Sequence, residues 1–122
     1  MQRRHADQRF RDDTNLIRLA EHLARASRDA NAVASAQELE ADYMRFNSVA
    51  MDMVQTQEAA RKLSDGFLEE VPQLSWHELR GLRNAIVHEY DEIDPDALYV
   101  TATVDVPRLL AQLQPYLDAI ED

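Results

Sequence analysis

Hydrophobic residues recur every three or four positions along most of the chain, the pattern of helices that bury one face. The first stripe follows a predicted helix cap at Thr14 and comprises Leu16, Leu19, Ala20, Leu23 and Ala26 or Ala30. Residues 1–11 are polar and charged and are expected to form a flexible tail. The small, polar stretch 29–36 predicts that the first helix ends or bends there.

A second stripe predicts one long helix from about residue 38 to residue 63. Its apolar members are Leu39, Tyr43, Phe46, Val49 or Ala50, Met53, Ala60 and Leu63. Gln57 interrupts the stripe at a position that would otherwise face the core. The run 64–66, Ser-Asp-Gly, predicts the helix end, with Gly66 suited to a left-handed cap. Phe67 is expected to fold back onto the core.

The stretch from Trp76 to Tyr90 combines a helical pattern with the residues best suited to chemistry. Ser75 and Glu78 form a Ser-x-x-Glu capping box, which predicts that a helix begins here. An apolar stripe and a polar stripe then run along opposite sides, the first with Leu79, Leu82 and Ile86 and the second with His77, Arg80, Asn84 and His88. One face is therefore expected to pack and the other to bind.

The last part of the chain predicts a kinked helix. Asp94 and Pro95 mark its start, with the aspartate as cap and the proline in the first turn. Residues 100–104 are β-branched and resemble a strand locally, but nothing else in the sequence could pair with them, so we predict helix. Pro107 is expected to kink or split this helix. Residues 12–122 are therefore predicted to form one domain, an all-α bundle of four or five helices.

The distribution of charge limits the reasonable functions. The 122 residues carry a net charge of −10, whereas general nucleic-acid-binding proteins are usually basic. Residues 1–11 hold four arginines against one aspartate, and from residue 89 onward nine acids stand against one arginine. An RNA site would therefore be a local basic patch, and the acidic surface is suited to a protein partner.

Several kinds of site find no support in the sequence. The chain has no cysteine for a disulfide or thiolate metal site, and its two glycines cannot form a glycine-rich phosphate loop. Neither His5 nor His22 has ligand-like neighbours. No apolar run approaches membrane-spanning length, and the N-terminus lacks the pattern of a secretory signal. We expect a cytoplasmic protein with no metal, no cofactor and no membrane contact.

The central stretch contains the motif Arg-x4-His-x-Tyr, formed by Arg83, His88 and Tyr90. Together with the upstream run Glu-Ala-Ala-Arg-Lys-Leu-Ser at 58–64, it resembles the HepT-like ribonucleases of the HEPN superfamily. The resemblance implies a HEPN-type bundle that works as a homodimer. It also implies an endoribonuclease toxin of a toxin–antitoxin pair that cleaves RNA without metal. The products would be a 2′,3′-cyclic phosphate and a 5′-hydroxyl.

Arg83 and His88 are the predicted catalytic residues. Metal-free cleavage needs a base for the 2′-hydroxyl, as histidine provides near neutral pH, and a cation for the phosphorane, as arginine provides. The alternatives are a packing histidine and a structural salt bridge from Arg83 to Glu58. On a straight helix the two side chains would lie about 140° apart. They converge if the helix loosens near His88 or if two subunits share the site, and the resemblance implies the second.

Neighbouring residues have predicted supporting roles. Asn84, one helical turn before His88, is a candidate for orienting that histidine or the RNA, with a plain surface position as the alternative. Arg80 is a candidate for binding RNA, and Glu58 is a candidate structural support. Tyr90 could stack on a base or pack at the helix end. The resemblance implies that a minimal nucleotidyltransferase antitoxin of the MntA type attaches AMP to Tyr90. The added negative charge beside Arg83 would repel an incoming phosphodiester.

The chain departs from the family pattern at two neighbouring positions. Gln57 stands where the family usually has glycine, and Thr56 where it usually has a large aliphatic residue, so helix packing near the cleft is expected to change. Two other functions remain open: a catalytically inactive HEPN module that binds a nucleotidyltransferase or a nucleotide, and a purely structural helical adaptor. A neighbouring gene for a short nucleotidyltransferase would favour the toxin, whereas fusion to a larger enzyme would favour the module.

Overall fold

The computed structural model describes residues 5–88 and 92–121, and this part of the chain folds as an all-α bundle, as predicted. Its elements are α1 (Ala6–Asn31), α2 (Ala36–Ala41), α3 (Tyr43–Arg61), α4 (Asp65–Glu70), α5 (Trp76–Arg80), α6 (Leu82–Ile86), α7 (Pro95–Val100), a π-helical turn (Thr101–Asp105) and α8 (Val106–Glu121). The β-branched run 100–104 is helical. None of the described helices is both long and apolar enough to cross a bilayer.

The core lies between α1 and α3, which pack along each other, and α8, which packs against α1. The predicted apolar face of α1 is buried in full. The largest completely buried side chains in the three long helices are Leu16, Leu19, Leu23, Val49, Met53, Leu109 and Leu113. These apolar contacts supply the main stabilising term of the bundle.

The first helix begins at Ala6, so the predicted cap at Thr14 is wrong and residues 6–11 of the predicted tail are helical. A buried carboxylate helps to hold this end in place. Asp12 is fully buried and accepts hydrogen bonds from the Ser64 backbone N–H at 2.9 Å and hydroxyl at 2.6 Å. This contact spans 52 residues and leaves no local pattern. The helix ends at Asn31, within the predicted region.

The predicted helix 38–63 is in fact two helices, α2 and α3, which meet at Asp42. The Asp42 carboxylate accepts hydrogen bonds from the Arg45 backbone N–H at 3.2 Å and from its Nε at 3.1 Å. These contacts, the backbone one foremost, lower the pKa of Asp42 below its ordinary value. Because the break rotates the chain, Tyr43 is 69% exposed instead of buried.

The predicted helix end is confirmed to within two residues, since α3 ends at Arg61, and the run Ser-Asp-Gly at 64–66 then starts a new helix. The Ser64 hydroxyl accepts a hydrogen bond from the Phe67 N–H at 3.2 Å and so caps α4. Gly66 lies inside α4, so its predicted role as a left-handed cap is wrong. Phe67 is buried as predicted, edge-on against Trp76 with ring centroids 5.5 Å apart.

Asp94 caps α7 as predicted, accepting from the N–H groups of Asp96 at 2.9 Å and Ala97 at 3.2 Å. The helix then widens into the π-helical turn, in which the Val106 N–H donates to the Thr101 carbonyl. Pro107 follows directly, as the second residue of α8. Such a turn is a recognised way to accommodate an irregularity in a helix. The predicted kink is therefore a change of winding just before Pro107.

Candidate functional site

The central helix predicted from residue 76 to residue 90 is broken at Gly81 into α5 and α6. The predicted capping box is absent, since the Ser75 side chain makes no capping hydrogen bond. Glu78 instead forms a salt bridge with Arg108 on α8. This contact also raises the pKa of the arginine. The box residues therefore hold α5 against α8 by a contact between distant parts of the chain.

Gly81 allows a close approach at the break. A β-carbon at this position would lie 3.2 Å from the carbonyl oxygen of His77, tighter than most such contacts. The Gly81 N–H donates to the Glu78 carbonyl at 3.1 Å and closes the end of α5. Gly81 is also the residue that precedes α6, and it has no side chain with which to cap it.

Gln57, on α3, caps α6 from outside. Its side chain is 4% exposed, and its Oε1 accepts a hydrogen bond from the Arg83 backbone N–H at 2.7 Å. The neighbouring Thr56 is fully buried and its hydroxyl donates to the Asp52 carbonyl at 2.7 Å. Both departures from the family pattern are thus buried polar side chains with hydrogen-bond partners, and Gln57 contacts the backbone of a predicted catalytic residue.

The helix that carries Arg83 ends before His88. α6 stops at Ile86, and the Val87 N–H donates to the Arg83 carbonyl at 3.0 Å. Val87 then pairs with Ile93 in an isolated antiparallel bridge. The Asp94 N–H donates to the Ile86 carbonyl at 2.8 Å. His88 therefore lies in extended chain, and the 140° separation expected on a straight helix does not apply.

The predicted packing face of this stretch is confirmed, whereas binding by its polar face stays a prediction. Leu79, Leu82 and Ile86 are each 1% exposed. The side chains that are exposed on this segment include Arg83, Asn84 and His88. The two predicted catalytic residues thus stand on one short, anchored segment where a large substrate can reach them. Their convergence in a second protomer, the other predicted arrangement, stays a prediction.

Arg80 has a structural contact that its place in the sequence did not indicate. Its Nε donates to the Ala60 carbonyl at 3.1 Å, and a terminal nitrogen donates to the Leu63 carbonyl at 3.2 Å. Ala60 lies in the last turn of α3, and Leu63 lies two residues beyond the helix end. Arg80 thus joins α5 to α3. Contact between Arg80 and RNA stays a prediction, as does the supporting role of Glu58, an exposed residue on α3.

One polar cluster was missed by sequence reasoning. His22 Nδ1 lies 2.8 Å from Asp52 Oδ1, and Arg25 Nε lies 3.6 Å from the same oxygen. Asp52 is 7% exposed, so this contact joins α1 to α3 at the edge of the core. The statement that His22 lacks a neighbouring ligand-type residue is therefore wrong. Within the described residues, no three His, Cys, Asp or Glu side chains are grouped so that they could hold a metal ion.

The predicted modification residue, Tyr90, lies outside the described residues. Of the acidic residues that follow it, Glu92 and Asp96 are exposed. Asp94 is half-buried and is committed to capping α7. The described part of this acidic run thus presents two carboxylates to solvent and uses a third in the fold.

Comparison with known proteins places the chain. The family model "Ribonuclease HepT-like" matches residues 15–116. Three relatives come from Methanocaldococcus jannaschii. "Putative RNase MJ1380" is 35% identical over 47% of this chain and 52% of its own length. "Putative RNase MJ0125" is 25% identical over 53% and 56%, and "Putative RNase MJ1216" is 27% identical over 52% and 53%.

The chain thus spans about half the length of the curated relatives it matches. No solved structure gives a significant match. The family model, by contrast, covers most of the chain, including the exposed segment with Arg83 and His88. The chain belongs to the family of HepT-like ribonucleases.

Proposed function

We propose that this protein is a metal-independent endoribonuclease whose catalytic residues are Arg83 and His88. The observation that carries the proposal is their placement. Both side chains are exposed on a segment held by the buried residues Leu82 and Ile86 and by the bridge beyond the helix end. A rigid support with exposed functional groups is the arrangement that positions a reacting phosphodiester.

The proposed reaction is transesterification. The His88 imidazole takes the proton of the 2′-hydroxyl, and the 2′-oxygen attacks the neighbouring phosphorus. Arg83 donates hydrogen bonds to the phosphorane oxygens, where negative charge develops. The bond from phosphorus to the 5′-oxygen then breaks, and an imidazolium protonates the leaving oxygen. The products are a 2′,3′-cyclic phosphate and a 5′-hydroxyl, with no net uptake of protons.

The active form proposed is a homodimer. A single His88 would have to act first as base and then as acid, whereas two protomers that share one cleft supply both protonation states at once. The extended, exposed position of His88 beyond α6 supports a site that is reached from outside the protomer. Sedimentation velocity at micromolar concentration tests this, because an active, strict monomer would contradict the shared cleft.

The catalytic proposal is tested by cleavage of a labelled RNA with and without EDTA. Purified wild type should cleave in both conditions. His88→Ala and Arg83→Ala should each reduce the rate at least about 100-fold while remaining folded. His5→Ala is the matched control, because His5 is an exposed histidine at the start of α1, outside the predicted binding face, and its replacement should leave the rate unchanged. Full activity of His88→Ala would refute the mechanism. Loss of wild-type cleavage on addition of EDTA would refute it as well.

The biological role proposed is that of a toxin silenced by a minimal nucleotidyltransferase that attaches AMP to Tyr90. The position of Tyr90, two residues after His88, supports this. A phosphate there would compete for the arginine that holds RNA and would favour the protonated imidazole, which is no base. The exposed carboxylates of Glu92 and Asp96 suit a basic partner that docks beside the tyrosine.

The silencing proposal is tested with the cognate nucleotidyltransferase and ATP. Intact-mass measurement should show added AMP units on the wild type, together with loss of cleavage. Tyr90→Phe should keep much of its nuclease activity and stay unmodified. Equal modification and silencing of Tyr90→Phe would show that the switch does not operate through this residue.

A further inference from the structure

The backbone of Arg83 is held by a side chain from another helix. The first N–H groups of any helix have no carbonyl partner within it, and the residue before the helix usually supplies one from its side chain. Before α6 that residue is Gly81, which has no side chain. Gln57 on α3 supplies the missing acceptor, with Oε1 2.7 Å from the Arg83 nitrogen.

The burial of this hydrogen bond and the shortness of α6 make it important for the direction of the α6 backbone. Gln57 is 4% exposed, so water competes poorly for the bond. α6 is a single short turn, in which the Ala85 N–H makes the first hydrogen bond, to the Gly81 carbonyl at 3.1 Å. A helix this short has few bonds of its own to define its direction. The contact with Gln57 therefore constrains the backbone that aims the Arg83 guanidinium.

We propose that Gln57 is a positioning residue of the ribonuclease site, which acts by fixing the Arg83 backbone against α3. This inference rests on the proposed function, because it concerns the use of Arg83 in RNA cleavage. A residue without a side-chain acceptor at this position could not make the contact. The hydrogen bond from the Arg83 backbone to Gln57 thus orients the arginine that is proposed to hold the phosphate.

The first test is Gln57→Met, which keeps the volume and removes the acceptor. Small displacements of a catalytic group cost rate more than affinity when the group acts in the transition state. We expect kcat to fall about 10-fold and KM for RNA to change less than about twofold. Gln57→Glu keeps an acceptor oxygen and should recover most of the lost kcat.

Thr56→Val is the matched control. It removes a side-chain hydrogen bond from the adjacent, equally buried position on α3, but that bond stays within α3. It should lower stability without lowering kcat per folded molecule. If the role of Gln57 were merely structural, Gln57→Met would likewise lower stability and leave kcat per folded molecule unchanged. Should Gln57→Met fail to fold, Gln57→Leu takes its place, since it also has no acceptor oxygen and suits a buried helical position.

Two further measurements tie the effect to Arg83. In an Arg83→Lys background, Gln57→Met should cause little additional loss of kcat, because the orientation of the guanidinium no longer matters. In the wild type, the Arg83 amide proton should exchange slowly with solvent, and Gln57→Met should accelerate that exchange at least about 10-fold while leaving most core amides protected.

The outcomes separate the two proposals. A wild type without RNA cleavage would overturn the proposed function and this inference with it. An active wild type whose kcat is unaffected by Gln57→Met would overturn the inference alone. Unchanged exchange of the Arg83 amide in an active Gln57→Met would do the same. A selective fall in kcat, recovered by Gln57→Glu and absent from Thr56→Val, supports it.

Discussion

Two helix breaks in this molecule look alike in outline and differ in how they are held. At Asp42, between α2 and α3, the cap comes from the break itself, because the Asp42 carboxylate accepts from the N–H of Arg45 three residues on. At Gly81, between α5 and α6, the cap comes from Gln57, 26 residues away. Each break is followed closely by an arginine, Arg45 in one case and Arg83 in the other.

The difference separates a break that is capped by its own residues from one that is capped by another helix. The guanidinium of Arg45 turns back to Asp42, at 3.1 Å from its carboxylate, so this arginine helps to cap its own helix. Arg83 projects from a backbone that other elements hold, and its side chain is exposed. A cap made from another helix ties the position of the residues at the break to the core.

Conservative substitution of the two arginines should give the largest contrast. Lysine retains the charge but lacks the planar fork that matches a phosphate. We expect Arg83→Lys to lower the cleavage rate roughly 10- to 1000-fold, and Arg45→Lys to leave it unchanged. Initial rates on one labelled RNA measure both. Equal effects of the two substitutions would remove the functional distinction between the breaks.

A buried hydrogen bond between distant parts of the chain should contribute more to stability than a local helix cap. The contact of Asp12 with Ser64 allows this to be tested. Asp12→Ala removes a fully buried carboxylate and leaves the N–H and hydroxyl of Ser64 without it. We expect the free energy of unfolding to fall by about 2–4 kcal/mol, measured by urea denaturation. A loss below about 0.5 kcal/mol would mean that the tie between α1 and α4 is dispensable.

The local cap should matter less. Asp42→Ala removes the exposed carboxylate that caps α3 and is expected to lower the melting temperature by roughly a few degrees, with cleavage per folded molecule unchanged. Circular dichroism melts and initial rates on the same samples give both values. Lost activity at unchanged stability would make this break functional as well.

The smallest expected effect is a pH dependence at the same site. The pKa of Asp42 is lowered in the folded protein, so its charge stabilises the fold above the unfolded value of 3.8 and ceases to do so as the pH falls through the folded value. Asp42→Asn keeps a capping oxygen without the charge. It should therefore melt slightly below the wild type at pH 7, and the two should converge as the pH falls below 3.8 and through the lowered pKa of Asp42. A constant difference would exclude the charge as its cause.

Periodicity predicted the α1 face, the burial of Leu79, Leu82 and Ile86, and the cap at Asp94, because each depends on neighbours within a few residues. It missed the break at Asp42 because the apolar stripe continues across it, from Leu39 to Tyr43 and Phe46. The cap at Asp42 is local, because its carboxylate accepts from the Arg45 N–H three residues on, so the sequence does contain a signal for this break.

The side-chain contacts between distant parts of the chain could not be predicted from the sequence. Gln57 with Arg83, Arg80 with the end of α3, and His22 with Asp52 each join residues 17 to 30 positions apart. No periodicity links such pairs, and they form only once α1, α3, α5 and α6 pack. Gln57 nevertheless interrupts an apolar stripe, and a polar residue at a buried position needs a hydrogen-bond partner. This interruption is the sequence feature that corresponds to the cap of α6.

The central claim is that the segment with Arg83 and His88 cleaves RNA through attack by the 2′-hydroxyl. It is tested most directly by replacing a single ribonucleotide with its 2′-deoxy counterpart at a mapped cleavage site, in the presence of EDTA. The all-ribose strand should yield a 2′,3′-cyclic phosphate and a 5′-hydroxyl by mass spectrometry, and the substituted strand should be uncut at that position. Cleavage of the 2′-deoxy site at an undiminished rate would contradict the account.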